Sequence, residues 1–180
     1  MMSGVINMSD AAWRELKAHL LPPNSQTEEG AFLMARCKAD NENNIIFQHI
    51  ETVLLGQRDF VSQENDYLEL SDETRARLIK RAHDLDASLI EFHSHPGPYP
   101  ACLSPADMRG LREFVPHVLW RLKQRPYAAV VVANSGFDGL IWAPPANQPL
   151  ALKDLQIGDN LLHSTGLSLQ SLSRRIYEKV

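Results

Sequence analysis

A chain of 180 residues, 44% hydrophobic and 22% charged, has the makeup of one folded domain with a substantial core, which excludes a disordered chain, a collagen-like repeat and a disulfide scaffold. Eighteen Lys and Arg against 22 Asp and Glu give a net charge of -4, so no overall positive field draws the chain to nucleic acid or to anionic lipid. The sequence holds no apolar run of about 18 residues, its first ten residues lack the basic-then-apolar pattern of an export signal, and Cys37 and Cys102 stand far apart with no pairing pattern. The expectation is a single cytoplasmic domain over residues 1–180 with no nucleic-acid or membrane partner.

Along the chain, Ser9 and Asp10 followed by Trp13, Leu16 and Leu20 at helical spacing predict a capped first helix, stopped by Pro22 and Pro23. Residues 31–37 and 45–55 are rich in apolar and β-branched types and are separated by the polar run Lys38 to Asn44, which predicts a hairpin. Tyr67 to Leu70 is a short strand candidate. Ser71 then caps a helix of about 14 residues, with Leu78, Ile79, Ala82 and Leu85 on one face. Ser88 to Phe92 predicts a strand running into His93-Ser94-His95-Pro96, and Ser104-Pro105-Ala106-Asp107 signals a further helix with Pro at its first position. Tyr127 to Ala133 is the strongest buried-strand signal, joined through Asn134 to Gly139 to Leu140-Ile141-Trp142. Residues 150–180 read as a linker and a terminal helix carrying Arg174, Arg175 and Tyr177. The pattern as a whole predicts an α/β fold, a mixed sheet covered by the N-terminal helix and by helices near 72–85 and 105–123.

His93 and His95 lie two apart at the end of a predicted strand, so both side chains leave one face with Cα atoms roughly 6 to 7 Å apart, a span that two imidazoles can bridge to one metal ion. Asp107, in the first turn of the following helix, is the candidate third ligand. Two His and one carboxylate leave a fourth zinc position open, which is the catalytic kind of site. Each residue also has a plainer reading. An isolated His-x-His pair is more often two hydrogen-bonded histidines than a ligand pair, Asp107 alone is the acidic member of a capping box, and Ser104 alone is a helix cap. The combination outweighs the separate readings, because these residue types at these spacings arise together by chance in about one in a hundred to one in a thousand sequences of this composition. Cys102, in the intervening loop, is a weaker candidate ligand. The other five histidines have no partners at informative spacing.

The stretch Glu91-Phe92-His93-Ser94-His95-Pro96, followed by Ser104-Pro105-Ala106-Asp107, resembles the JAMM motif of MPN-type (JAB domain) zinc metalloproteases, and the chain's length resembles the stand-alone bacterial members. The resemblance is strongest over 88–107 and extends by order of elements over 5–143, leaving 150–180 as a C-terminal linker and helix. It implies an MPN/JAB (cytidine deaminase-like) architecture, a Zn2+ held by His93, His95 and Asp107, and Ser104 stabilising a tetrahedral intermediate. It also implies a Glu ahead of an early strand that activates water. Two registers are open there: setting Ala31 at the motif's small position selects Glu28, whereas setting Gly30 there puts Thr27 in the catalytic place; Glu28 is preferred, with its neighbour Glu29 as the alternative carboxylate. The family has seven residues between the second His and the Ser, whereas Pro96 to Leu103 supplies eight here. The implied activity is a deubiquitinase-like isopeptidase or peptidase, acting after the C-terminal tail of ubiquitin or a ubiquitin-like protein, with that protein or its conjugate as partner. A sulfur-carrier precursor peptidase and a non-catalytic MPN-type interaction module are the alternatives.

Overall fold

Tyr127–Ala133 is buried along its whole length, as its apolar run requires, and what covers its two faces decides the architecture. The computed structural model describes residues 2–42, 44–64 and 68–177. Among these residues the elements in chain order are β1 (Gly4–Met8), α1 (Asp10–Leu20), β2 (Gly30–Ala39), β3 (Ile45–Leu54), β4 (Phe60–Gln63), β5 (Leu68–Leu70), α2 (Asp72–Asp84), β6 (Ser88–His95), α3 (Pro105–Arg121), β7 (Tyr127–Ala133), β8 (Gly136–Trp142), β9 (Leu150–Ile157), β10 (Asn160–His163) and α4 (Leu167–Tyr177). Tyr67 and residues 178–180, read from sequence as a strand start and a helix end, lie outside the described residues.

The expected α/β architecture of MPN/JAB type, a mixed sheet flanked by helices, is not the fold that forms. Seven strands run in the order β1-β3-β2-β6-β7-β8-β9, and β9 pairs back onto β1, so the sheet closes into a mixed β-barrel with β10 attached outside the ring to β9. β1 lies parallel to both β3 and β9, β6 lies parallel to β7, and the remaining neighbours are antiparallel. The sequence pattern misleads for a physical reason. A strand buried on both faces reads the same whether helices cover both sides or whether one side is a barrel interior.

Here one face of each ring strand points inward. Ile6, Leu33, Phe47, Phe92, Val130, Ile141 and Leu155 meet in the interior, and α1 adds Leu16 and Leu20 to it. The outer faces of β2, β6, β7 and β8 form a second core with α2 and α3, built from residues such as Phe32, Leu89, Tyr127, Val131, Leu78 and Val118. Residues 150–163, read as a linker, instead supply β9, which closes the ring, and β10. Their polar members Lys153, Asp154, Gln156 and Asn160 hide the strand pattern.

The predicted caps form as hydrogen bonds: the side chains of Ser9, Ser71 and Ser104 accept from the backbone N–H groups of Ala12, Thr74 and Asp107. No helix among the described residues is long and apolar enough to cross a membrane.

Candidate metal centre

The side-chain period of two along β6 places Glu91, His93 and His95 on its outer face, and leaves Phe92 and Ser94 on the inner one. α3 starts beside the end of that strand. Its N-cap, Ser104, and its third residue, Asp107, form a reciprocal capping box: the Ser104 N–H donates to Asp107 Oδ2 at 2.6 Å, and the Asp107 N–H donates to Ser104 Oγ at 3.1 Å. The box fixes the Asp107 carboxylate so that Oδ2 stands 3.5 Å from His93 Nε2 and 3.4 Å from His95 Nε2. His93, His95 and Asp107 form the one group among the described residues with ligand atoms clustered closely enough to hold a metal ion. Cys102 does not join it; its thiol lies 3.9 Å from the Ser168 hydroxyl.

Glu28 and Glu29 precede β2, and the chain there is pinned to β6. Ser94 Oγ accepts from the Glu29 N–H at 2.9 Å, and the Ser94 N–H donates to the Glu29 carbonyl at 3.0 Å. The pinning sends the two carboxylates different ways. Glu28 is buried, with Oε1 3.3 Å from His95 Nε2. Glu29 is turned toward β4, where Gln63 Nε2 donates both to the Glu28 carbonyl at 2.8 Å and to Glu29 Oε2 at 3.0 Å.

The electrostatics follow from this crowding. Burial alone would lower the pKa of His93, but Asp107, Glu91 and Glu28 outweigh it and push the value up to about 9. Burial likewise works against the Asp107 carboxylate, yet the two imidazoles and the Ser104 N–H hold it far below the usual carboxylate range. Glu91, which opens the motif-like stretch without a role of its own, accepts the Tyr127 hydroxyl at 2.5 Å, and its pKa is pushed up mainly by burial. Its place two residues before His93 on the same strand face was the signal available in sequence.

The loop from 96 to 103 is tied to the start of α4, so its eight residues are held in one path. The Thr165 hydroxyl donates to the Ala101 carbonyl at 2.7 Å, the Leu103 N–H donates to Ser168 Oγ at 2.9 Å, and Ala101 and Leu103 are buried. Outward from His93 and Asp107 a cleft of about 700 Å³ opens between α2, α3 and the β4–β5 hairpin, with Phe60, Leu68, Leu70, Ile79 and Phe114 among its walls. No protein-family model matches the chain, and no curated protein matches it either.

Proposed function

We propose that the protein is a zinc-dependent peptidase of JAMM type that hydrolyses the bond after the C-terminal tail of a ubiquitin-like protein. The observation that carries this reading is the convergence of His93, His95 and Asp107 with Glu28 beside them. Four features of the centre fit a zinc ion. Ligand atoms on a tetrahedron with bonds of ~2.1 Å stand ~3.4 Å apart, and Asp107 Oδ2 is 3.5 and 3.4 Å from the two imidazole nitrogens. Both ring nitrogens of His93 are buried without a hydrogen bond, a costly state that a ligand at Nε2 relieves. Glu28, Glu91 and Asp107 bring three carboxylates to one place, which favours a dication over an empty site. Two imidazoles with one carboxylate are a donor set that zinc accepts.

When bound, zinc supplies Lewis acidity that polarises a carbonyl and makes water more acidic. Glu28 is the group placed to take a proton from water and return it to the departing amine. Ser104 uses an oxygen lone pair for its cap, so its hydroxyl proton remains available to an oxyanion. The cleft beside the centre has mixed walls, apolar side chains such as Phe60, Ile79 and Phe114 beside charged ones such as Arg75 and Arg109, and room for several residues of an extended tail. β5, on its wall, belongs to a two-stranded hairpin, to which such a tail can add as a strand.

The test is mass spectrometry of a ubiquitin-like precursor and of a ubiquitin-like conjugate, before and after incubation with the protein. Cleavage after the tail should stop with a chelator and return with zinc, and the substrate that is cut separates precursor processing from deconjugation. Glu28→Gln should lower turnover by about 10² to 10⁴ with zinc retained, whereas Glu29→Gln should stay near the parent. Cleavage that persists in chelator, or a protein that takes up no zinc, overturns the proposal.

A further inference from the structure

The motif gives roles to His93, His95, Asp107 and Ser104 and none to Glu91, yet Glu91 is the carboxylate that faces the far side of a metal-binding imidazole. Building on the metal reading above, we propose that Glu91 is a positioning residue that fixes the orientation and tautomer of His93, and that the Tyr127 hydroxyl holds Glu91 in place for this purpose.

The geometry is specific. His93 turns Nε2 toward Asp107, so Nδ1 points away from the centre, and there Glu91 Oε1 stands 3.7 Å from it. A neutral imidazole that gives its Nε2 lone pair to a metal carries its proton on Nδ1, and a buried N–H requires an acceptor. No hydrogen-bond partner meets Nδ1 within normal distance. A small rotation of the ring or of the carboxylate closes the gap to Glu91. The other carboxylate oxygen is already committed, since Oε2 accepts the Tyr127 hydroxyl at 2.5 Å, which leaves Oε1 for His93.

Tyr127 is itself immobilised. It is fully buried on β7, the parallel neighbour of β6, with Phe114 edge-on to its ring at 6.0 Å between centroids and Trp142 at 6.2 Å. The chain Tyr127, Glu91, His93, metal is thus a row of groups each oriented by the one behind it. Satisfying the Tyr127 hydroxyl alone does not call for a carboxylate, because a neutral amide accepts a hydrogen bond without the desolvation cost of a charge. A carboxylate is called for when the group beyond it is an imidazole whose basicity toward a cation is to be raised.

The experiment uses the full chain, stripped of metal and reloaded with zinc or, for its visible spectrum, with Co(II). Chelator competition should show Glu91→Gln binding zinc about 10- to 100-fold more weakly than the parent, with Tyr127→Phe weaker by a smaller factor. The double variant should be no worse than Glu91→Gln, because Tyr127 acts through Glu91. The visible bands of bound Co(II) should shift in Glu91→Gln, while the metal-free variant melts near the parent temperature. Unchanged zinc affinity and Co(II) spectrum in Glu91→Gln, with a parent that binds metal, overturn this inference and leave the three-ligand centre standing. A weaker affinity accompanied by a lowered metal-free melting temperature and an unshifted spectrum assigns Glu91 a structural role and also overturns it. A parent that takes up no metal removes both this inference and the reading beneath it.

Discussion

At Asp107 one oxygen, Oδ2, serves both the helix start and the metal centre, since it accepts the Ser104 N–H and faces both imidazoles. The cap and ligand readings of this residue are therefore compatible: the capping box is the device that aims the ligand. The same crowding makes a pH prediction. In the metal-free protein the His93 pKa rises from 6.5 to about 9 on folding, so the folded state holds that proton more tightly than the unfolded chain does. The stability this contributes is complete below pH 6.5 and is lost as pH climbs through about 9. The metal-free melting temperature should therefore fall over that interval, and zinc affinity should rise about tenfold per pH unit as one proton is displaced. A metal-free melting temperature that increased from pH 6.5 to 9 would contradict the arrangement. The spacing of two between His93 and His95 and of three between Ser104 and Asp107 made these residues legible, because strand and helix periods convert such spacings directly into shared faces. Tyr127 was not legible as a partner of Glu91, since their separation of 36 positions is bridged only by the pairing of β6 with β7.

Among the elements, the three Ser-capped helices were readable because a cap is a local event, decided by a few adjacent residues. β9 was not, because its burial comes from partners distant in sequence, β1 and β8. α4 was foreseen as a helix, but its attachment depends on a buried side chain in β8. The Asp138 carboxylate accepts from the Gly166 and Ser168 N–H groups at 3.1 and 2.7 Å, satisfying the first turn of α4. Ser168 in turn accepts from Leu103, next to Ser104, so α4 steadies the loop that leads into the metal centre. Asp138→Ala should lower stability by about 1–3 kcal/mol through unsatisfied buried N–H groups, read by chemical denaturation. It should also raise hydrogen exchange at Leu103. Protection at Leu103 equal to that of the parent would separate the loop from α4.

For the molecule as a whole, closure of the ring sets where a side chain is tolerated. A Cβ at Gly139, on β8 between β7 and β9, would stand 2.8 Å from the Ala129 carbonyl oxygen and 2.9 Å from Leu152 Cδ2, and the backbone atom cannot yield cheaply. Gly139→Ala should cost about 1–3 kcal/mol. Gly110→Ala, on an exposed turn of α3 with nothing near the added carbon, should instead stabilise by about 0.4–1 kcal/mol. The same substitution thus carries opposite signs at the two sites, and equal effects in a denaturant series would refute the packing given for the ring. The pairing of β1 with β9 joins Met8 to Ile157, so the barrel is closed by contacts between segments far apart in the chain. During synthesis β1 and β3 can pair early, but the ring has no seam partner until β9 has emerged from the ribosome. Until then the nascent chain carries an open sheet with exposed edges and an uncovered apolar interior, the kind of surface that chaperones bind.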